Sequence, residues 1–237
     1  MINNAKILYD SKANAFDGII PHLIPFYNEI YDILINAIPF SKNVPLKILD
    51  IGCGTGTLAK IIKENFPNAK ITCLDFSANM LNVAKSKLAK YKDDIDFLVG
   101  DFGKFKLRNK FDVIVSSFAL HHIQTDEQKI ALYKKIYENL NSNGVFYNAD
   151  LVLGSSVHIN SLNYKKWKSY ILRYFENIET LDKLLPKYQA DDNPSVLFSH
   201  LKWLDHVGFK EIETVWKYYN FAIYGGRKTK HFELIKK

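Results

Sequence analysis

The residues of this chain that could do chemistry stand at the ends of apolar runs. Asp50 closes Ile48-Leu49 and opens Ile51-Gly52-Cys53-Gly54-Thr55-Gly56, Asp75 ends Lys70-Ile71-Thr72-Cys73-Leu74, and Asp101 follows Gly100 after Ile95–Val99. Ser116, Ser117 and Phe118 follow Phe111–Val115 and lead into Ala119-Leu120-His121-His122. Glycines let a backbone approach a ligand and adopt φ > 0, and a helix start beyond them offers free N–H groups. A carboxylate roughly 20 residues past such glycines, at the end of the next strand, can accept both hydrogens of a ribose diol. An imidazole can serve as a general base near neutral pH, so His121 and His122 are catalytic candidates, and equally candidates for structural or helix-capping roles.

Spacing narrows the ligand. A dinucleotide fingerprint requires Gly-x-Gly-x-x-Gly, and the third position falls on Thr57. A Walker loop requires a lysine that Gly56-Thr57-Leu58 does not supply. Two adjacent histidines without further ligands at suitable spacing do not define a metal site, and none is expected. A nucleoside ligand without pyrophosphate remains. Ser77 is placed to cap the helix after Asp75, leaving Asp75 for a sugar, with Phe76 and Met80 beside a base.

The elements that must position these groups alternate. Short apolar runs at 47–51, 70–75, 95–99, 111–116 and 145–150 read as buried parallel strands, separated by amphipathic helices beginning at Thr57, Ser77 and Thr125, the last with Gln128 at a capping-box position. Strands at 209–216 and 218–224 have a linker too short for a parallel crossover and must form an antiparallel hairpin. The expectation is an α/β doubly wound seven-stranded sheet, mostly parallel, in a single domain over 1–237. Residues 1–45 form a helical cap broken at Pro25, with Tyr9, Phe16 and Tyr27 as contacts to a ligand. Residues 155–192 form an insertion or lid before a last helix over 193–207, with an aromatic stripe that includes Tyr164 and Trp167.

Composition excludes several classes. The chain has 237 residues, 47% of them hydrophobic, and no apolar run long enough to cross a bilayer. Met1–Lys6 carries no secretory or transit pattern, and Cys53 and Cys73 do not make a disulfide framework, so a cytoplasmic protein is expected. The net charge of +7 is almost all lysine scattered along helices, with arginine only at 108, 173 and 227. That pattern disfavours a dedicated nucleic-acid groove; a homodimer is left open.

The Ile-Leu-Asp-Ile-Gly-Cys-Gly-Thr-Gly run resembles the first motif of the class I S-adenosylmethionine-dependent methyltransferases, and Asp75, Asp101 and Ser116–His122 follow in that family's order. The resemblance implies S-adenosyl-L-methionine as cofactor and S-adenosyl-L-homocysteine as product. It implies a cofactor site of Tyr27, Asp50, Gly52, Cys53, Gly54, Asp75, Phe76, Met80, Gly100, Asp101, Phe102, Ser116, Ser117 and Phe118, with Asp101 and the backbone at Phe102 toward the adenine. His122, Tyr164, Trp167 and Lys187 are the substrate candidates. The Asn-Pro-Pro-Tyr motif of amino-group DNA and protein methyltransferases is absent, Ser116-Ser117-Phe118-Ala119 standing in its place, which implies a small-molecule acceptor. Tyr9-Asp10, residues 16–28 and Asn220-Phe221 resemble a group that includes the carboxy-S-adenosylmethionine synthase of transfer RNA wobble modification. That synthase holds its extra carboxylate with an arginine, where this chain places Lys187. A cofactor- or RNA-binding protein without catalysis is the third reading.

Overall fold

The computed structural model describes residues 16–105, 109–174 and 192–229. A helical segment over 16–23 precedes α1 (Tyr27–Ala37). The alternation then runs β1 (Lys47–Ile51), α2 (Thr57–Asn65), β2 (Lys70–Asp75), α3 (Ala78–Lys87), β3 (Ile95–Val99), β4 (Phe111–Ser117), α4 (Asp126–Asn139) and β5 (Leu140–Leu151). After it come α5 (Val157–Ile171), α6 (Leu197–Val207), β6 (Lys210–Tyr218) and β7 (Phe221–Arg227). The strands form one sheet in the order β3-β2-β1-β4-β5-β7-β6. All neighbours pair in parallel except β7, which is antiparallel to both β5 and β6. The doubly wound seven-stranded expectation holds, and the closing hairpin turns through Tyr219 at φ 49.

Period-2 burial divides the core into two layers. Ile48, Val113 and Val115 face the side covered by α1 and α2, with Leu34, Leu58 and Ile62, whereas Leu49, Ile51 and Ile114 face the side of α4 and α6, with Ile136 and Leu204. Both faces are covered, which is why the strands read as continuous apolar runs.

Boundaries shift where a cap decides them. Pro25 ends the first helical segment, and Phe26 at φ 59 redirects the chain into α1. Ser77 caps α3 by accepting from Met80 N at 3.0 Å, and Thr125 caps α4 by accepting from Gln128 N at 3.3 Å. The last helix begins at Leu197, because the residues before it pair with Leu153, just past the end of β5, whose N–H donates to Ser195 O at 2.9 Å. It ends, as expected, on Gly208 at φ 109.

Candidate functional site

The glycine turn is shaped by contacts on both its sides. Gly52, Gly54 and Gly56 all have positive φ, of 69°, 53° and 78°. A Cβ at Gly52 would lie 2.3 Å from Ala119 Cβ, so the loop after β4 packs directly on this backbone. A Cβ at Gly54 would meet nothing within 4 Å, because its backbone faces open space. The turn is anchored by Asp75, whose Oδ2 accepts from Gly54 N and whose Oδ1 accepts from Ser77 N, both at 2.8 Å. Ser77 therefore caps α3 without releasing Asp75 as the sequence suggested. Each Asp75 oxygen accepts a backbone N–H, so the carboxylate ties the glycine turn to the start of α3.

In front of this turn lies an open cleft of about 620 Å³, solvent at its mouth included, at the carboxyl ends of β1, β2 and β4, the position at which open α/β sheets bind ligands. Of the expected cofactor residues, Tyr27, Gly52, Cys53, Gly54, Asp75, Phe76, Met80, Ser117 and Phe118 line it, as does His122. Sequence reasoning missed Tyr31, Thr55 and Ala119, which also line it. Tyr31 sits one helical turn beyond Tyr27 and donates to its hydroxyl at 3.0 Å, so the i, i+4 spacing was the available signal.

Five of the expected residues are not on the cleft wall. Ser116 is fully buried and its hydroxyl donates to Ile51 O at 2.7 Å, stitching β4 to β1. Phe102 is buried, its ring 3.8 Å from where a Gly52 Cβ would stand, so it supports the turn from behind. Asp101 accepts from Gly103 N at 2.9 Å in its own turn, and Phe105 packs over Gly100. Asp50 is wholly buried, and neither carboxylate oxygen has a hydrogen-bond partner among the described residues. Burial, and then the charge of Asp75, push its pKa up to about 8.

The histidine pair stands in a carboxylate cluster. His121 Nδ1 lies 2.5 Å from Asp150 Oδ1, and its backbone N–H donates to Asp150 Oδ2 at 3.1 Å. Asp192 Oδ1 lies 3.4 Å from His121 Nε2 and 3.3 Å from His122 Nδ1. Burial alone would lower the pKa of His121, but Asp150 and then Asp192 outweigh it and raise it to about 10. His122 is lowered, by burial and then by the charge on His121. One imidazolium, one neutral imidazole and two carboxylates result. The expectation that the histidines lack a further ligand is corrected, since Asp192 brings a third donor atom within 4.8 Å of theirs. The protonated His121 already supplies the cation between the two carboxylates.

Asp150 could be anticipated as an acid ending the strand beside β4; the register Ser116↔Asn148 and Ser117↔Ala149 brings the two strand ends together. Nothing in the sequence points to Asp192. It is held by tertiary contacts, Asn193 N donating to His121 O at 2.8 Å and Lys129 Nζ donating to Asn193 O and Ser195 Oγ at 2.5 and 2.6 Å.

The insertion contributes selectively. Trp167 is buried, its Nε1 donating to Leu23 O at 2.7 Å, and Tyr170 donates to Pro21 O at 3.0 Å, so α5 clamps the 16–23 segment. Tyr164 is 43% exposed and outside both this contact and the cleft. Lys187 and Tyr9 lie outside the described residues; Phe16 lines the cleft.

The donor set fits a cationic nucleoside. Asp75 lies on the wall and buried Asp50 behind it, among tyrosine, phenylalanine and methionine side chains. No lysine or arginine lines the cleft among the described residues. A sulfonium and an ammonium are charges such a surface accommodates, whereas a pyrophosphate would find no cation there.

Sheet order, glycine turn and acidic cleft together define the class: this is an S-adenosylmethionine-dependent methyltransferase fold, and the chain is an enzyme with that cofactor. Residues 48–144 match the family described as a methyltransferase domain. Over most of its length the chain is similar to proteins named carboxy-S-adenosyl-L-methionine synthase. It is 27% identical over 219 residues to that of Campylobacter lari and 28% over 221 residues to that of Campylobacter jejuni subsp. jejuni serotype O:23/36, covering 90% of both chains in each case. The solved structure described as PigF with SAH superposes with a TM-score of 0.66 at 18% identity, over 95% of this chain and 62% of that one. Among the described residues no helix is long and apolar enough to cross a membrane.

Proposed function

We propose that this enzyme transfers the methyl group of S-adenosylmethionine to a small-molecule acceptor by in-line displacement, the whole chain acting as one catalytic domain. The observation that carries this reading is the acidic, aromatic cleft, free of basic lining residues among those described, which ends at His122. In this reading Asp75 takes the ribose hydroxyls, Phe76 and Met80 flank the adenine, Asp101 and the Phe102 backbone lie toward its amino group, and the Gly52–Gly54 backbone with Tyr27, Ser117 and Phe118 encloses the amino-acid end. Buried Asp50 faces the ammonium through the turn. The cofactor supplies an electrophilic methyl; the chain's task is to align the acceptor and exclude water. Calorimetry tests the cofactor site: wild-type protein binds S-adenosylmethionine and S-adenosylhomocysteine, and Asp75→Asn weakens both about tenfold or more, the size of a charged hydrogen bond. Absence of binding to wild type would sink the proposal. A screen with labelled cofactor over metabolite pools and transfer RNA then identifies the acceptor.

Carboxy-S-adenosylmethionine synthesis is the second reading, favoured by relatives of that name aligned over 90% of both chains. It needs a cation for the added carboxylate, and no described residue of the cleft provides one. Mass spectrometry of the cofactor that copurifies separates the two readings.

A further inference from the structure

Behind Phe118 lies a second, partly open chamber of about 590 Å³, solvent at its mouth included. It shares Phe16, Ile20 and Phe118 with the cofactor cleft, so the two spaces adjoin across these side chains. Its walls are apolar and aromatic, including Leu151, Trp167 and Phe221, and among the described residues the charged groups lining it are His121 and Asp192. Phe118 stands between the two spaces in a left-handed conformation, φ 52, that a bulky residue rarely adopts and that the sheet imposes, its N–H donating to Ala149 O at 2.8 Å. The Trp167 indole N–H is already used on Leu23 O. Polar recognition in the chamber therefore falls to one cluster at the seam with the cleft, where His122 faces the cofactor side and His121 and Asp192 face the chamber.

The charge of that cluster selects the ligand. Two carboxylates, Asp150 and Asp192, surround one protonated imidazole, His121, while His122 is neutral, leaving an excess of negative charge. Lys129 is paired with Asp126 and with the carbonyl of Asn193, and it does not line the chamber. A carboxylate would enter an apolar space to meet a cluster of net negative charge, which buried sites penalise heavily. An amine meets aromatic faces and an acid, both of which favour it.

We propose that this chamber is the acceptor site and that the acceptor is an amine on an apolar, aromatic-sized body, its nitrogen directed to Asp192 at the seam. The inference rests on the methyl-transfer reading above. The amine binds and reaches the reactive state by losing one proton to solvent. Its nitrogen lone pair then forms the new N–C bond as the S–C bond breaks, the sulfur keeps that electron pair and becomes a thioether, and the surplus N–H proton passes to neutral His122.

The test is calorimetry on the full chain loaded with S-adenosylhomocysteine, with phenethylamine and 3-phenylpropanoate as matched probes. Phenethylamine is expected to bind at least about tenfold more tightly, and Asp192→Asn to shrink the preference to about threefold or less. Leu151→Trp, which fills the chamber, is expected to abolish amine binding while S-adenosylhomocysteine binds as before and the thermal melt stays cooperative. Equal or tighter binding of the carboxylate, or amine binding indifferent to both substitutions, overturns the inference and leaves the cofactor reading standing. Failure of S-adenosylhomocysteine itself to bind overturns both.

Discussion

At the scale of single residues, Asp50 carries the sharpest consequence. Its carboxyl is buried without a hydrogen-bond partner among the described residues and its pKa is pushed to about 8, first by burial and then by Asp75. The folded state thus holds a proton that the unfolded state releases in the ordinary carboxylate range. Stability of the cofactor-free enzyme should fall as pH rises from that range through about 8, and Asp50→Asn should flatten the slope, as measured by denaturant titration across pH. A cationic cofactor reverses the balance by favouring the ionised form. Affinity for S-adenosylmethionine is therefore expected to rise with pH through the same window in wild type and to lose that dependence in Asp50→Asn. Asp50 was legible as the acid of the glycine motif; that it is sealed behind the turn was not, because burial is a property of the packed sheet.

At the scale of elements, the β5–β7 pairing and the α5 clamp are the testable joints. Gly225 lies opposite Tyr147, and a Cβ there would stand 2.0 Å from Phe146 O. Backbone cannot yield as a flexible side chain does, so Gly225→Ala is expected to cost about 3 kcal/mol in chemical denaturation, the upper end for overpacking. Trp167→Phe deletes the hydrogen bond to Leu23 O while keeping most of the ring volume. About 1 kcal/mol should be lost, with faster amide exchange concentrated in residues 16–24. A wild-type exchange pattern there would show that α5 does not hold the segment. The sequence marked Trp167 through its helical stripe, yet the same stripe included Tyr164, which faces solvent; periodicity names a face and not the partner that covers it.

At the scale of the whole molecule, a buried polar chain runs from the second chamber through β5 and β7 to α6. His121 contacts Asp150, Asn148 donates to Asp150 and to Tyr224, Tyr224 meets Tyr133 at 3.0 Å, and Tyr133 lies 2.7 Å from His200 Nδ1. Asp150 is held low by its partners despite burial, chiefly by His121, and His121 is raised to about 10. The carboxylate's contribution to stability is present above the ordinary aspartate range and is lost on acidification. That of His121 is full below its ordinary 6.5 and fades as pH climbs toward 10. Asp150→Asn should lower the melting temperature most near neutrality and remove the alkaline decline; an unchanged profile would place the stabilisation elsewhere. By itself the sequence determined the alternation of strands and helices, the glycine turn, the caps at Ser77 and Thr125 and the closing hairpin, because each rests on local spacing or on a short linker. Only the tertiary structure decided which acids serve the site. Asp75 grips the turn as well as facing the cleft, Ser116 and Phe102 recede into the core, and Asp192 reaches the histidines from far along the chain, because such contacts depend on strand register and on how a distant segment packs, which no local pattern encodes.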